Sequence, residues 1–315
     1  MSNQEIIERI EKLKKEKNAV ILAHFYQIPV IQDIADFIGD SLNLAEKAKN
    51  TDADLILFCG VHFMGETAKI LNPNKKVIIP DLEAGCSLAD SCPAKDFAEF
   101  KKQYPDHITI SYINCSAEIK TLSDIICTSG NALELVNSLP KYQKIIFAPD
   151  KNLGGYLNRI TGRDMVLWNG TCEVHELLTA EYVLIKKKEN PDYILIAHPE
   201  CNDAVLQLAD FIGSTSAMIN FVKNNEHKKF LVATETGIVH QLKKDNPEKD
   251  FIVVTQNESC SCNDCRYMKL NTLEKVLYSL ENEVYEINLD EKLIQEAKKP
   301  IIRMLDLSRE LGIIK

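Results

Sequence analysis

The sequence predicts an α/β protein of three pseudo-threefold-related domains, each a three-layer α/β/α sandwich with a small parallel sheet, around a central active site. Three observations predict it. One passage is written three times: VILAHFYQIPVIQDIADFIGDS from Val20 to Ser41, ITISYINCSAEIKTLSDIICTS from Ile108 to Ser129, and ILIAHPECNDAVLQLADFIGST from Ile194 to Thr215. The register matches Asp36 with Asp124 and Asp210, and Ser41 with Ser129 and Thr215, the mark of a repeated structural unit. Within each copy, short runs rich in Val, Ile and Leu alternate with amphipathic stretches, the pattern of strands buried on both faces between helices. Finally, each copy closes on a cysteine: VIIPDLEAGC at Cys86, MVLWNGTC at Cys172, and FIVVTQNESCSCNDC, whose candidates are Cys260, Cys262 and Cys265.

The elements follow in order. An amphipathic opening, Gln4 to Lys17, reads as a helix. The first copy then gives a strand at Val20–Ala23, a helix near Val30–Ala35, a short strand at Asp36–Gly39 and a helix at Leu42–Lys49. Its second half gives a strand at Leu55–Cys59, a helix at Met64–Leu71 and a strand at Val77–Ile79. Apolar runs at Lys144–Phe147 and Lys229–Val232 repeat the start of that second half in the other copies. After Cys265 the tail reads as a helix, a short strand and a longer helix, expected to pack with the opening helix on the first domain. The expected division is therefore 1–86 plus 270–315, then 87–172, then 173–269. A repeat of about 86 residues suits a small domain.

Composition narrows the function classes. With 45% hydrophobic and 26% charged residues the chain is that of an ordinary globular protein. Its net charge of −9 argues against nucleic acid as a partner, because phosphate-backbone binding needs clustered Lys and Arg. The opening MSNQEIIERIEKLKKEK lacks a signal-peptide apolar core, and no apolar run approaches membrane-span length. A cytoplasmic protein without membrane contact is expected. In that compartment its 10 cysteines stay reduced, and a set placed in register points to metal or catalysis rather than to disulfides.

Open parallel sheets bind ligands beyond the carboxyl ends of their strands, and the repeat places its unusual residues there. First strands run into His24 and Tyr26, Tyr112 and Asn114, and His198 and Glu200; second strands run into Ser41, Ser129 and Thr215. The aspartates Asp36, Asp124 and Asp210 read as turn-forming residues. For Ser41, Ser129 and Thr215, capping a helix and touching a ligand are compatible, since free N–H groups at a helix start hold anions. One thiol per repeat suggests a three-cysteine site: a 4Fe-4S cluster with one iron left open as a Lewis acid, or zinc with a water ligand. Cys262 and Cys265 form a CxxC pair, of which one member completes the set and the other can form a reversible disulfide with it. Cys59, Cys92, Cys115, Cys127 and Cys201 have no triplicated partner and read as structural, with Cys115 and Cys201 placed near the cavity.

HFYQIPVIQDIADFIGDSL, CGVHFMGETAKILNP, IPDLEAGCSLADSCP, SYINCSAEIK, CTSGNA, AHPEC and the closing CxxC ahead of YMKLNTLEKV together resemble the quinolinate synthase family across nearly the whole chain. The resemblance implies a transferase-type condensing enzyme with dehydratase steps, joining iminoaspartate to dihydroxyacetone phosphate to give quinolinate, phosphate and water in de novo NAD biosynthesis. Supply of iminoaspartate by an L-aspartate oxidase or dehydrogenase is implied too. So is a 4Fe-4S cluster on Cys86, Cys172 and Cys265. Substrate contacts carried over are His24, Ser41, Tyr112, Asn114, Ser129, His198, Glu200 and Thr215, with catalytic roles for Tyr26, His24, Tyr112, His198 and Glu200. Arg266 stands where many members carry proline. Two other readings of the residues stay open: a hydro-lyase acting on a hydroxy acid, and a redox sensor built on the CxxC pair.

Overall fold

The computed structural model describes residues 1–255 and 263–314. Its strands form three four-stranded parallel sheets of identical topology. The first contains β1 (Ala19–His24), β2 (Phe37–Gly39), β3 (Leu55–Cys59) and β4 (Lys76–Ile78) in the order β2-β1-β3-β4. The second, in the order β6-β5-β7-β8, is built from β5 (Ile108–Tyr112), β6 (Ile125–Cys127), β7 (Ile145–Ala148) and β8 (Val166–Leu167). The third, in the order β10-β9-β11-β12, is built from β9 (Ile194–Ala197), β10 (Phe211–Ile212), β11 (Lys229–Ala233) and β12 (Asp250–Val253). Helices flank each sheet, as the alternating pattern predicts. β3 and β7 are buried along their whole length, which is why they read as continuous apolar runs rather than alternating ones.

The three aspartates show why the repeat is one structure built three times. Asp36 accepts the Ile21 N–H at 2.8 Å and returns its own N–H to the Ile21 carbonyl at 3.0 Å. Asp124 does the same with Thr109, at 2.7 and 2.9 Å, and Asp210 with Leu195, at 2.7 and 2.9 Å. Each aspartate thus starts a short second strand by pairing with the first, the structural role that its turn-forming chemistry predicts. Register then aligns the carboxyl ends: His24 lies opposite Gly39, and Tyr112 opposite Cys127.

Outside the repeat, helix Asn3–Glu16 packs on helix Leu273–Asn282, and both cover the first sheet. The short strand expected in the tail is reduced to a single antiparallel bridge between Ile78 and Glu286. Glu283 and Tyr285, at φ 51° and 62°, turn the chain there, leaving too few extended residues for a longer ladder. Helix Glu291–Glu310 lies against helix Ala117–Thr121 and β6 of the second unit, and also against helix His62–Leu71 of the first. Its buried Met304 and Leu305 join the core shared by those two units. Among the described residues, no helix is long and apolar enough to cross a membrane.

Candidate functional site

The sheets turn their carboxyl ends toward one cavity. His24, Tyr26 and Ser41 line it from the first unit; Tyr112, Asn114 and Ser129 from the second; His198, Glu200 and Thr215 from the third. Cys86, Cys172 and Cys265 line it as well. Cys115 and Cys201 do not: both are fully buried, in apolar clusters behind the wall, because the residue before each of them takes the inward-facing place. Cys260 and Cys262 lie outside the described residues. No lysine or arginine lines the cavity among the described residues.

Hydroxyl groups reach the cavity because neighbouring residues do the capping. Asp40 caps helix Ser41–Asn50 by accepting the Asn43 N–H, and Ser214 caps helix Thr215–Asn224 by accepting the Ala217 N–H. Ser41 and Thr215 are therefore first helical residues whose hydroxyls are free for other contacts. Thr215 Oγ1 lies 3.2 Å from Tyr26 Oη, which is 2.8 Å from Thr234 Oγ1. Ser129 Oγ lies 3.2 Å from His198 Nε2.

The two histidines use one motif twice. His24 Nδ1 accepts the Tyr26 N–H at 3.1 Å, and His198 Nδ1 accepts the Glu200 N–H at 3.4 Å. This fixes Nε2 as the protonated nitrogen in each ring. Burial pushes both imidazoles down to about 3, so each is neutral at pH 7 and serves as a hydrogen-bonding group rather than as a standing acid. Glu200 lies at the centre: its Oε1 accepts the Tyr112 hydroxyl at 2.5 Å, and its Oε2 lies 3.0 Å from His175 Nδ1. His175 Nδ1 is buried and makes no geometrically sound hydrogen bond. Burial alone would raise the Glu200 carboxyl, but His175, His198 and the Tyr112 hydroxyl outweigh it and hold the group down at about 2. Burial and the Glu200 charge keep the Tyr112 and Tyr26 phenols well above their ordinary range, hence protonated.

The thiols share a second repeated motif. The carbonyls of Cys86, Cys172 and Cys265 each accept the N–H four residues on, from Asp90, Glu176 and Lys269, at 2.9, 2.9 and 3.1 Å. In each turn, amides two or three residues on face the sulfur: Leu88 and Ala89 for Cys86, His175 for Cys172, Tyr267 and Met268 for Cys265. The three sulfurs lie within electrostatic reach of one another. Burial pushes Cys265 up to about 11 and the other two higher, so as free groups they stay protonated. Soft donors, inward-facing amides and mutual proximity fit a sulfur-rich metal group that would hold them as thiolates. A Cys172 sulfur, a His175 ring nitrogen and a Glu200 oxygen also lie within 4.8 Å of one another, a donor set that suits a single divalent ion.

Sequence reasoning missed His175 and Glu235, both on the cavity wall. Repeat equivalence could not find them. The residues that match His175 in the closing turns are Ala89 and Met268, so nothing marks a histidine there. Glu235 accepts the Cys265 N–H at 3.1 Å and pairs with Lys269 Nζ at 2.6 Å, while Lys269 also donates to the Tyr26 carbonyl at 2.7 Å. Arg266, in place of the expected proline, lies on the surface and pairs with Glu173 at 3.0 Å.

Residues 8–306 match the model of the quinolinate synthetase A protein family. A quinolinate synthase of Synechocystis sp. is 57% identical over 305 residues, covering 97% of this chain and 96% of the relative. One from Chloroherpeton thalassium is 57% identical over 310 residues, 98% of this chain and 96% of the relative. One from Microcystis aeruginosa is 58% identical over 299 residues, 95% of this chain and 94% of the relative.

Proposed function

The chain belongs to the quinolinate synthetase A protein family, and from that premise we propose that it condenses iminoaspartate with dihydroxyacetone phosphate to quinolinate, releasing phosphate and water, in de novo NAD biosynthesis. The observation that carries this reading is the meeting of one amide-lined thiol from each repeat with histidines, phenols and a carboxylate around one cavity. Cys86, Cys172 and Cys265 would hold a 4Fe-4S cluster, which when bound supplies a Lewis-acid iron with no protein ligand.

The chain's own residues do the rest. Ser41 and Thr215, at the starts of ten-residue helices, offer hydroxyls and free N–H groups to the phosphate and carboxylate of the reactants, which lets an acidic protein bind anions with no lysine or arginine on the wall among the described residues. Tyr26, held protonated, donates to an oxygen atom that gains negative charge. Glu200, ionised at neutral pH, is the acceptor for protons released as the carbon skeleton enolises and dehydrates, with Tyr112 hydrogen-bonded to it as the connecting donor. His24, neutral with Nε2–H available, orients substrate oxygens, while His198 holds the Ser129 hydroxyl in place through its own Nε2–H.

Tyr26 sits where Gly237 of the third unit approaches the first closely. A Cβ on Gly237 would lie 2.7 Å from the Tyr26 Cα and 2.8 Å from the Phe25 carbonyl oxygen. Gly237→Ala should therefore displace the Tyr26 loop and lower kcat by roughly 10- to 100-fold, the scale of a displaced catalytic group. The far-ultraviolet circular dichroism should stay native. An unchanged kcat would show that the loop yields without consequence.

The reading is tested by anaerobic reconstitution with iron and sulfide, followed by an assay for quinolinate. A 4Fe-4S absorption band with product formation is the expected result. The band without product would favour the hydro-lyase or sensor alternatives. Zinc without iron in anaerobically purified protein would instead favour the single-ion site of Cys172, His175 and Glu200.

A further inference from the structure

Tyr26 and Asn114 occupy the same place in successive copies of the repeat, on loops that leave the first strand of each sheet, and so do the residues Gln32 and Lys120 further along. Gln32 and Lys120 are both fully buried. Gln32 Nε2 donates to the carbonyls of Phe25 and Gln27, at 2.9 and 2.8 Å. Lys120 Nζ donates to the carbonyls of Ile113 and Cys115, at 3.3 and 2.5 Å. Each side chain therefore grips the two carbonyls that flank one cavity residue: Tyr26 in the first unit, Asn114 in the second.

Each grip is also fastened to a neighbouring unit. Gln32 Nε2 lies 2.9 Å from the Gly237 carbonyl of the third unit, and Gln32 Oε1 accepts from Gln241 Nε2 at 3.0 Å. Lys120 lies within electrostatic reach of Glu66 from the first unit, which also accepts the Ala117 N–H at 3.0 Å. The third copy has Leu206 at this position; there the loop is held from outside, by Asn152 Nδ2 of the second unit on the Glu200 carbonyl at 3.1 Å. Ordinary satisfaction of a buried polar group needs any partner. It does not account for an amide and an ammonium at matching positions choosing the same pair of carbonyls. Asn114 Oδ1, buried and without a partner, is the group that such a grip would keep aimed at a ligand.

We propose that Gln32 and Lys120 are equivalent positioning residues, each clamping the carbonyls on either side of a cavity residue, Tyr26 or Asn114, and locking that loop to the adjacent unit. The kinetic part of this proposal rests on the quinolinate synthase reading; the part concerning loop order does not. The variants are Gln32→Leu, which installs the residue type of the third copy, and Lys120→Met. Hydrogen exchange, measured by mass spectrometry on protein without added cofactor, should rise roughly tenfold or more over 25–28 in the first variant and over 113–116 in the second, each without change in the other loop. In the reconstituted enzyme, Gln32→Leu should lower kcat by roughly tenfold alone but by less than about threefold in a Tyr26→Phe background, because residues acting through one group are not additive. Lys120→Met should show the same non-additivity with Asn114→Ala, read in KM. If Lys120→Met does not fold, the pair Glu66→Gln with Lys120→Met removes both buried charges and takes its place. Unchanged exchange in the clamped loops, or losses that add in full, would overturn the proposal. Native-like loops in an enzyme that makes no quinolinate would overturn the functional reading along with it; loosened loops in such an enzyme would support the clamp and sink the functional reading alone.

Discussion

Cys172→Ala, reconstituted without air, should bind markedly less iron, lose the 4Fe-4S absorption, and form quinolinate more than about 100-fold more slowly than the parent, beyond what changes outside the ligand shell cost. Physical asymmetry among the cysteines leads to that result. Burial raises all three cavity thiols, so ionising them without a cation is unfavourable, and metal binding must drive their protons off. Amides already facing each sulfur stabilise the ionised form once it exists. Losing one of the three donors would weaken the protein's hold on the proposed cluster. Cys59→Ala is the matched control: that thiol is fully buried in the apolar layer of the first sheet and raised by burial alone. It should keep its iron and activity, with only the modest destabilisation of a smaller core residue. Full iron and full turnover in Cys172→Ala would remove the ligand assignment.

Much of this arrangement could be read in the sequence because triplication supplies its own controls. Val, Ile and Leu runs give the strands; the matched aspartates start the second strands; positions after the first strands, compared across copies, pick out His24 with His198 and Tyr26 with Glu200. Comparison works where the units stay alike and fails where they diverge. His175 has no counterpart in the other closing turns, and Glu235 follows β11 at the place where the first unit has Val61. The caps were also hidden: Asp40 and Ser214, rather than Ser41 and Thr215, satisfy the helix starts, a difference of one residue that decides which hydroxyl faces the cavity. The tail lies outside the repeat, so its expected strand had no second copy to check it against.

Glu200→Gln should fold normally and lower kcat by roughly 10²- to 10⁴-fold, the range for removing a general acid or base, with a smaller change in KM. The substitution keeps shape, removes the charge and exchanges one acceptor oxygen for an amide donor. That charge lies at the meeting point of the Tyr112 hydroxyl, His175 and His198, so its loss alters proton acceptance and the electrostatics of three neighbours together. The pH dependence gives a sharper check. Because the folded Glu200 carboxyl is held down at about 2, it stays ionised throughout the pH 5–8 window; no rising limb there belongs to it, and the variant should lower the profile without moving such a limb. Its linkage to stability has the sign of a depressed carboxylate: the contribution is present above the ordinary glutamate value near 4.3 and fades as pH falls toward 2. The parent should thus lose part of its stability advantage over Glu200→Gln between about pH 4 and 2, as measured by urea midpoints at each pH. An ascending limb between pH 5 and 8 that disappears in Glu200→Gln would instead place the folded carboxyl near neutrality, a base only partly ionised in this window, and overturn its depressed value.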